Sequence, residues 1–77
     1  MKREFREPIF GKRCIELRFE DEEVCIYATT TGLEKLITFC KMLLDNPRTG
    51  HIHLEDYEVL TEDSLTGAIA VFGSETG

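Results

Sequence analysis

The chain has no tryptophan, two prolines, three cysteines and no Lys or Arg after Arg48, and each scarcity narrows what it can be. No apolar run approaches the roughly 20 residues of a membrane-spanning helix, so no membrane partner is expected. The opening MKREFREP lacks the apolar stretch of a secretion signal, which predicts a cytoplasmic protein. Cys14, Cys25 and Cys40 form no CxxC pair. An odd count without a secretion signal argues against a disulfide framework, and free thiols are expected. Glycine-rich phosphate loops, HExxH and GxSxG are all missing, so neither an enzyme nor a cofactor is expected. Basic residues cluster only near the N-terminus, whereas phosphate neutralisation needs an extended basic surface. Nucleic acid is therefore not an expected partner.

What is present is a 77-residue chain, 42% hydrophobic and 31% charged, with a formal net charge of −6. A chain of that length makes one domain and buries only about 60% of its unfolded surface. So small a core leaves room for help from a second subunit, and homodimerisation is one expectation. Charge is segregated. Residues 1–13 carry Lys2, Arg3, Arg6, Lys12 and Arg13 against Glu4 and Glu7, while the residues after Arg48 carry Glu55, Asp56, Glu58, Glu62, Asp63 and Glu75. Charge of one sign gathered in one region steers association with the opposite sign.

Hydrophobic periodicity sets the elements. In RCIELRFE, Ile15, Leu17 and Phe19 alternate with Cys14, Glu16 and Arg18, as in a half-buried strand. After an acidic turn, EVCIYA places Val24, Ile26 and Ala28 opposite Cys25 and Tyr27. Folded back as a hairpin with Leu17 across from Val24 or Ile26, the two strands share one aliphatic face. TTTGLEKLITFCKMLLD then changes period: Thr31 and Glu34 read as a capping box, and Leu33, Leu36, Ile37, Cys40, Leu43 and Leu44 as the buried stripe, flanked by Phe39 and Met42. Pro47 marks the exit. HIHL alternates again with Ile52 and Leu54 inward, and GAIAVFG supplies a last strand. Between them EDYEVLTEDSLT keeps no phase and reads as a loop. The predicted class is α+β, ordered (β)ββαββ, a single helix on one face of a small antiparallel or mixed sheet. Residues 1–12 form a basic extension that could include an edge strand limited by Pro8, residues 13–73 the domain, and residues 74–77 a frayed tail.

Three surfaces are candidates for function. His51 and His53, two apart on a strand, point the same way and suit a metal or small ligand, although a zinc site needs three or four ligands and the remaining candidates are Glu55, Cys14, Cys25 or another carboxylate. Cys25 and Tyr27 share the polar strand face and could join the histidines in a ligand or dimer surface, while Cys40 reads as buried packing. The run EDYEVLTEDS sets Tyr57 and Leu60 among Glu55, Asp56, Glu58, Glu62 and Asp63, an aromatic anchor with a charged rim of the kind protein interfaces use. It lacks the ligand spacing and central glycine of an EF-hand loop.

The stretches GLEKLITFCKMLLD, GHIHLEDY and LTEDSLTGAIAVF together resemble the immunity protein thirty-two family of bacterial polymorphic toxin systems. The resemblance covers about Cys14 to Phe72 and leaves residues 1–12 outside it. It implies a small inhibitor that docks on a toxin, and many such toxins have basic active sites that an acidic surface complements. Two other readings stand beside it. One is a ligand-binding module built on His51 and His53, the other a structural homodimer joined through its sheet face.

Overall fold

The structure, a computed structural model, describes residues 6–72. Strands β1 (Ile15–Glu20) and β2 (Glu23–Ala28) pair antiparallel, α1 spans Thr30–Asp45, and β3 (His51–His53) pairs antiparallel with β4 (Ala68–Ala70). The α+β class and the ββαββ order are as expected, with the strands divided between two two-stranded sheets. The segment suggested as an edge strand has no regular structure over residues 6–13, and its first five residues lie outside the described ones. So do residues 74–77, read as a frayed tail.

The hairpin register sets Leu17 against Ile26 and Phe19 against Val24, which puts the two aliphatic sets on one face. Asp21 and Glu22 make the two-residue turn with φ of 52° and 63°. Both are left-handed, as a tight turn matched to strand twist requires.

The segment after β3, read as a loop, is the second neighbour of β1. The amides of Cys14 and Ile15 donate to the Val59 carbonyl, and Ile15 in turn accepts from the Thr61 amide. Leu17 donates to Ser64 Oγ and accepts from the Leu65 amide. The contact with Leu60 is a parallel bridge to Ile15. Both edges of β1 are thus satisfied, and it is the central strand of the fold. A 3-10 turn over Leu54–Tyr57 carries the chain from β3 to this position.

Helix α1 begins two residues earlier than the capping box implies. Thr29, not Thr31, is the cap, its Oγ1 accepting from the Gly32 amide at 3.0 Å. Gly32 is required here because the start of β1 presses on the helix. A Cβ at Gly32 would collide with the Cys14 carbonyl and come within 3.0 Å of the Ala28 Cβ. That approach fixes the helix rotation. Gly32, Phe39 and Leu43 face inward, with Leu36 partly covered, whereas Leu33, Ile37, Cys40 and Leu44 are exposed. The expected stripe is therefore corrected: Phe39, placed at its margin, is central, and four of its members face out. The core is Cys14, Ile15, Leu17, Phe39, Leu43, Ile52, Leu54 and Val59.

The hairpin face read as polar is not left to solvent. Glu16 and Arg18 are buried. Thr61 Oγ1 donates to Glu16 Oε1 at 2.6 Å, and Arg18 Nε donates to Glu16 Oε2 at 2.6 Å. Arg18 also reaches Glu20 at 3.1 Å and lies over the Tyr27 ring at 4.5 Å. Burial pushes the Glu16 carboxyl up, but the hydrogen bonds from Thr61 and Arg18 and the guanidinium charge outweigh it and hold it below the ordinary value.

Candidate protein-binding surface

Leu54, Val59 and Thr61 are buried, and they fix the backbone of the acidic segment at intervals. Between these anchors Glu55, Asp56, Tyr57 and Glu58 face out, and Glu62 and Asp63 follow on the next turn, all exposed. Glu58 adopts φ 58°, a left-handed position that ends the 3-10 turn and redirects the chain toward β1. Tyr57 is half exposed, its ring 4.9 Å from that of Phe39. Its inner edge rests on the core and its outer edge is free to meet a partner.

The acids are not electrostatically equivalent. Asp63 lies 4.0 Å from Arg6, and Lys12 and Arg13 line one hollow of about 440 Å³ with Glu62 and Asp63. A second hollow of about 550 Å³ brings Lys12, Arg13 and Lys35 beside Tyr57 and Glu58. Residues 6–13 therefore fold back along the acidic segment and screen its far end. Glu55 and Asp56 stand outside both hollows. Glu55 accepts from the Gly67 amide at 3.2 Å and lies 3.4 Å from His53 Nδ1.

His51 and His53 sit side by side on β3, exposed, with ring centroids 4.7 Å apart. Among the described residues no group of three His, Cys, Asp or Glu side chains is placed to hold a metal ion. Cys25 and Tyr27, which sequence reasoning offered as neighbours of the histidines, lie in the other sheet. Tyr27 donates to Glu20 Oε1 at 2.9 Å, and this bond, with burial and the carboxylate charge, pushes its phenol up. Cys25 Sγ lies 3.8 Å from the Glu23 carbonyl. The histidine pair and the Cys25–Tyr27 pair thus sit on separate sheets. Cys40, expected to be buried packing, is exposed, and Cys14 is the buried thiol.

Sequence reasoning passed over an apolar surface. Phe19, Val24, Ile26 and Leu65 are exposed. With Leu36 and Ile69, the side chains of Val24, Ile26 and Leu65 wall an apolar groove of about 340 Å³. The available signal was the breadth of the helix's apolar arc, wider than one small sheet can cover.

Among the described residues no helix is long and apolar enough to cross a membrane. No family model, curated protein or solved structure matches this chain.

Proposed function

We propose that this chain is a small acidic protein-binding module that neutralises a partner, in the manner of an immunity protein, by docking its acidic segment onto a basic face. The observation that supports the reading is that Leu54, Val59 and Thr61 are buried while Glu55, Asp56, Tyr57 and Glu58 between them are exposed. A segment pinned in this way loses little conformational freedom on binding, so more of its contact energy appears as affinity. Tyr57 supplies the aromatic anchor and the carboxylates supply steering and register. Glu55 and Asp56 carry most of the recognition, because Arg6, Lys12 and Arg13 already face Glu58, Glu62 and Asp63.

The reading expects a toxin gene beside this chain's gene, and the test is protection from that toxin. Co-expression of the chain should rescue growth, and Glu55→Lys with Asp56→Lys should abolish rescue and raise the dissociation constant at least about a hundredfold. Tyr57→Ala should weaken capture by about tenfold or more. Rescue that survives both changes, in a protein shown to be folded, would refute the acidic segment as the docking site.

A further inference from the structure

The exposed side of α1 is a second apolar seam. Leu33, Ile37, Cys40 and Leu44 are spaced by four, three and four residues, the a/d spacing of a helix that packs against another helix. They are open to solvent, with Ile37 60% and Leu44 74% exposed. Leu36, three residues after Leu33 and four before Cys40, joins this seam to the groove walled by Val24, Ile26, Leu65 and Ile69. The whole forms one apolar face, larger than isolated exposed side chains would make.

We infer that this face is the interface of a two-fold homodimer in which α1 packs antiparallel on α1 of a second copy. Self-complementarity selects this occupant. A two-fold axis crossing the helix midway between Ile37 and Cys40 sets Leu33 against Leu44 of the partner subunit and Ile37 against Cys40 of the partner subunit, so every seam residue meets another seam residue. The flanking charge agrees. Glu34 and Lys41 run along the solvent-side border of the seam, and the same two-fold brings like borders together. Glu34 then falls about 3 Å along the axis from Lys41 of the partner subunit, within side-chain reach, and the pair occurs twice. A partner with unrelated sequence would need to reproduce both patterns; a second copy does so by symmetry. This inference is independent of the acidic segment, which is anchored to the inward side of α1 through Phe39 and Tyr57.

Sedimentation of the full chain over a wide concentration range should show a monomer–dimer equilibrium. Ile37→Glu should weaken it at least about a hundredfold, since a buried Ile is replaced by a charge at two symmetric places. The far-UV circular dichroism should not change, because Ile37 is exposed within one copy. Glu34→Lys and Lys41→Glu should each weaken association, and the two combined should restore it. Ile37→Cys should, on mild oxidation, give a covalent dimer whose disulfide joins position 37 of one copy to Cys40 of the other. A chain that stays monomeric up to about millimolar concentration would overturn the proposal and leave the face to a different protein. A dimer indifferent to Ile37→Glu, or a failure of the 37–40 crosslink, would overturn it equally.

Discussion

Removing the Glu16 carboxylate is the most searching perturbation of the fold, because the side chain is only 2% exposed and that of Arg18 only 9%. In Glu16→Ala, Arg18 loses the partner of its 2.6 Å bond and keeps Glu20 and the Tyr27 ring, while the Thr61 hydroxyl loses its acceptor. Breaking a buried pair by deleting one member costs about 3–5 kcal/mol, since the survivor stays desolvated. At about 0.05–0.15 kcal/mol per residue, a 77-residue chain has roughly 4–12 kcal/mol in total. The variant should lie between marginally folded and unfolded. Replacing the set with apolar residues, Glu16→Leu with Arg18→Met and Thr61→Val, should recover most of the loss, because no buried charge remains.

Urea unfolding followed by far-UV circular dichroism reads this directly in a chain without tryptophan. At a slope of about 1 kcal/mol per molar urea, the Glu16→Ala midpoint should fall by about 3 M or more. The pH dependence has a definite sign. The Glu16 carboxyl titrates lower in the folded chain than in the unfolded one, so its contribution is complete above the unfolded carboxylate value of about 4.3 and is lost as pH falls through the folded value. Glu16→Gln should therefore show a shallower loss of stability on acidification. A Glu16→Ala penalty below about 1 kcal/mol, the scale of an exposed ion pair, would refute the argument that this network is desolvated.

Three further changes probe the local geometry. Gly32→Ala should destabilise by about 1–2 kcal/mol in thermal melts, the collision with the Cys14 carbonyl outweighing the roughly 1 kcal/mol by which Ala favours a helix; a more stable variant would contradict the close approach. Thr29→Ala should cost about 1 kcal/mol and Thr31→Ala almost nothing, because the hydroxyl that caps α1 belongs to Thr29; equal losses would return the cap to the expected position. Glu22→Gly should raise the unfolding free energy slightly, by about 0.5 kcal/mol, as relief at φ 63° exceeds the added chain entropy; a drop would mean that the Glu22 side chain contributes to the turn.

The parts of the fold legible in the sequence are those in which local period and local environment coincide. Alternation over residues 15–28 predicts Leu17 across from Val24 or Ile26, and the register takes Ile26, while Ile52 and Leu54 are buried as their phase requires. The failures have a common cause, which is partners remote in sequence. Glu16 reads as a solvent-facing residue until Thr61, 45 positions away, supplies its hydrogen bond. Residues 59–65 keep no apolar alternation, because they attach to β1 through backbone amides and carbonyls and through the hydroxyls of Thr61 and Ser64, polar partners that leave no hydrophobic period. The apolar arc of α1 contains two stripes of equal spacing, and periodicity cannot say which one the core takes. Only the contact of Gly32 with the start of β1 decides it. At the candidate surface, the outward placement of Glu55, Asp56, Tyr57 and Glu58 was legible because charged residues rarely lie inside. The screening of Glu62 and Asp63 by Arg6, Lys12 and Arg13 was not, since it depends on where the first segment runs.

The two proposed surfaces lie on different sides of α1, and this has a mechanistic consequence. Phe39 points inward and holds Tyr57, so the acidic segment is tied to the core side of the helix, while Leu33, Ile37, Cys40 and Leu44 face away from that contact. A dimer formed through the outer seam would leave both copies of Glu55 and Asp56 exposed and related by the two-fold. Each copy can then engage a partner without competing with the dimer contact, and a partner presenting two basic faces at the right spacing would gain from the second attachment. Ile37→Glu should accordingly separate the copies and leave capture of a monomeric partner unchanged, whereas Glu55→Lys with Asp56→Lys should abolish capture and leave the dimer whole. Were either change to affect both properties in a folded protein, the two surfaces would have to be one.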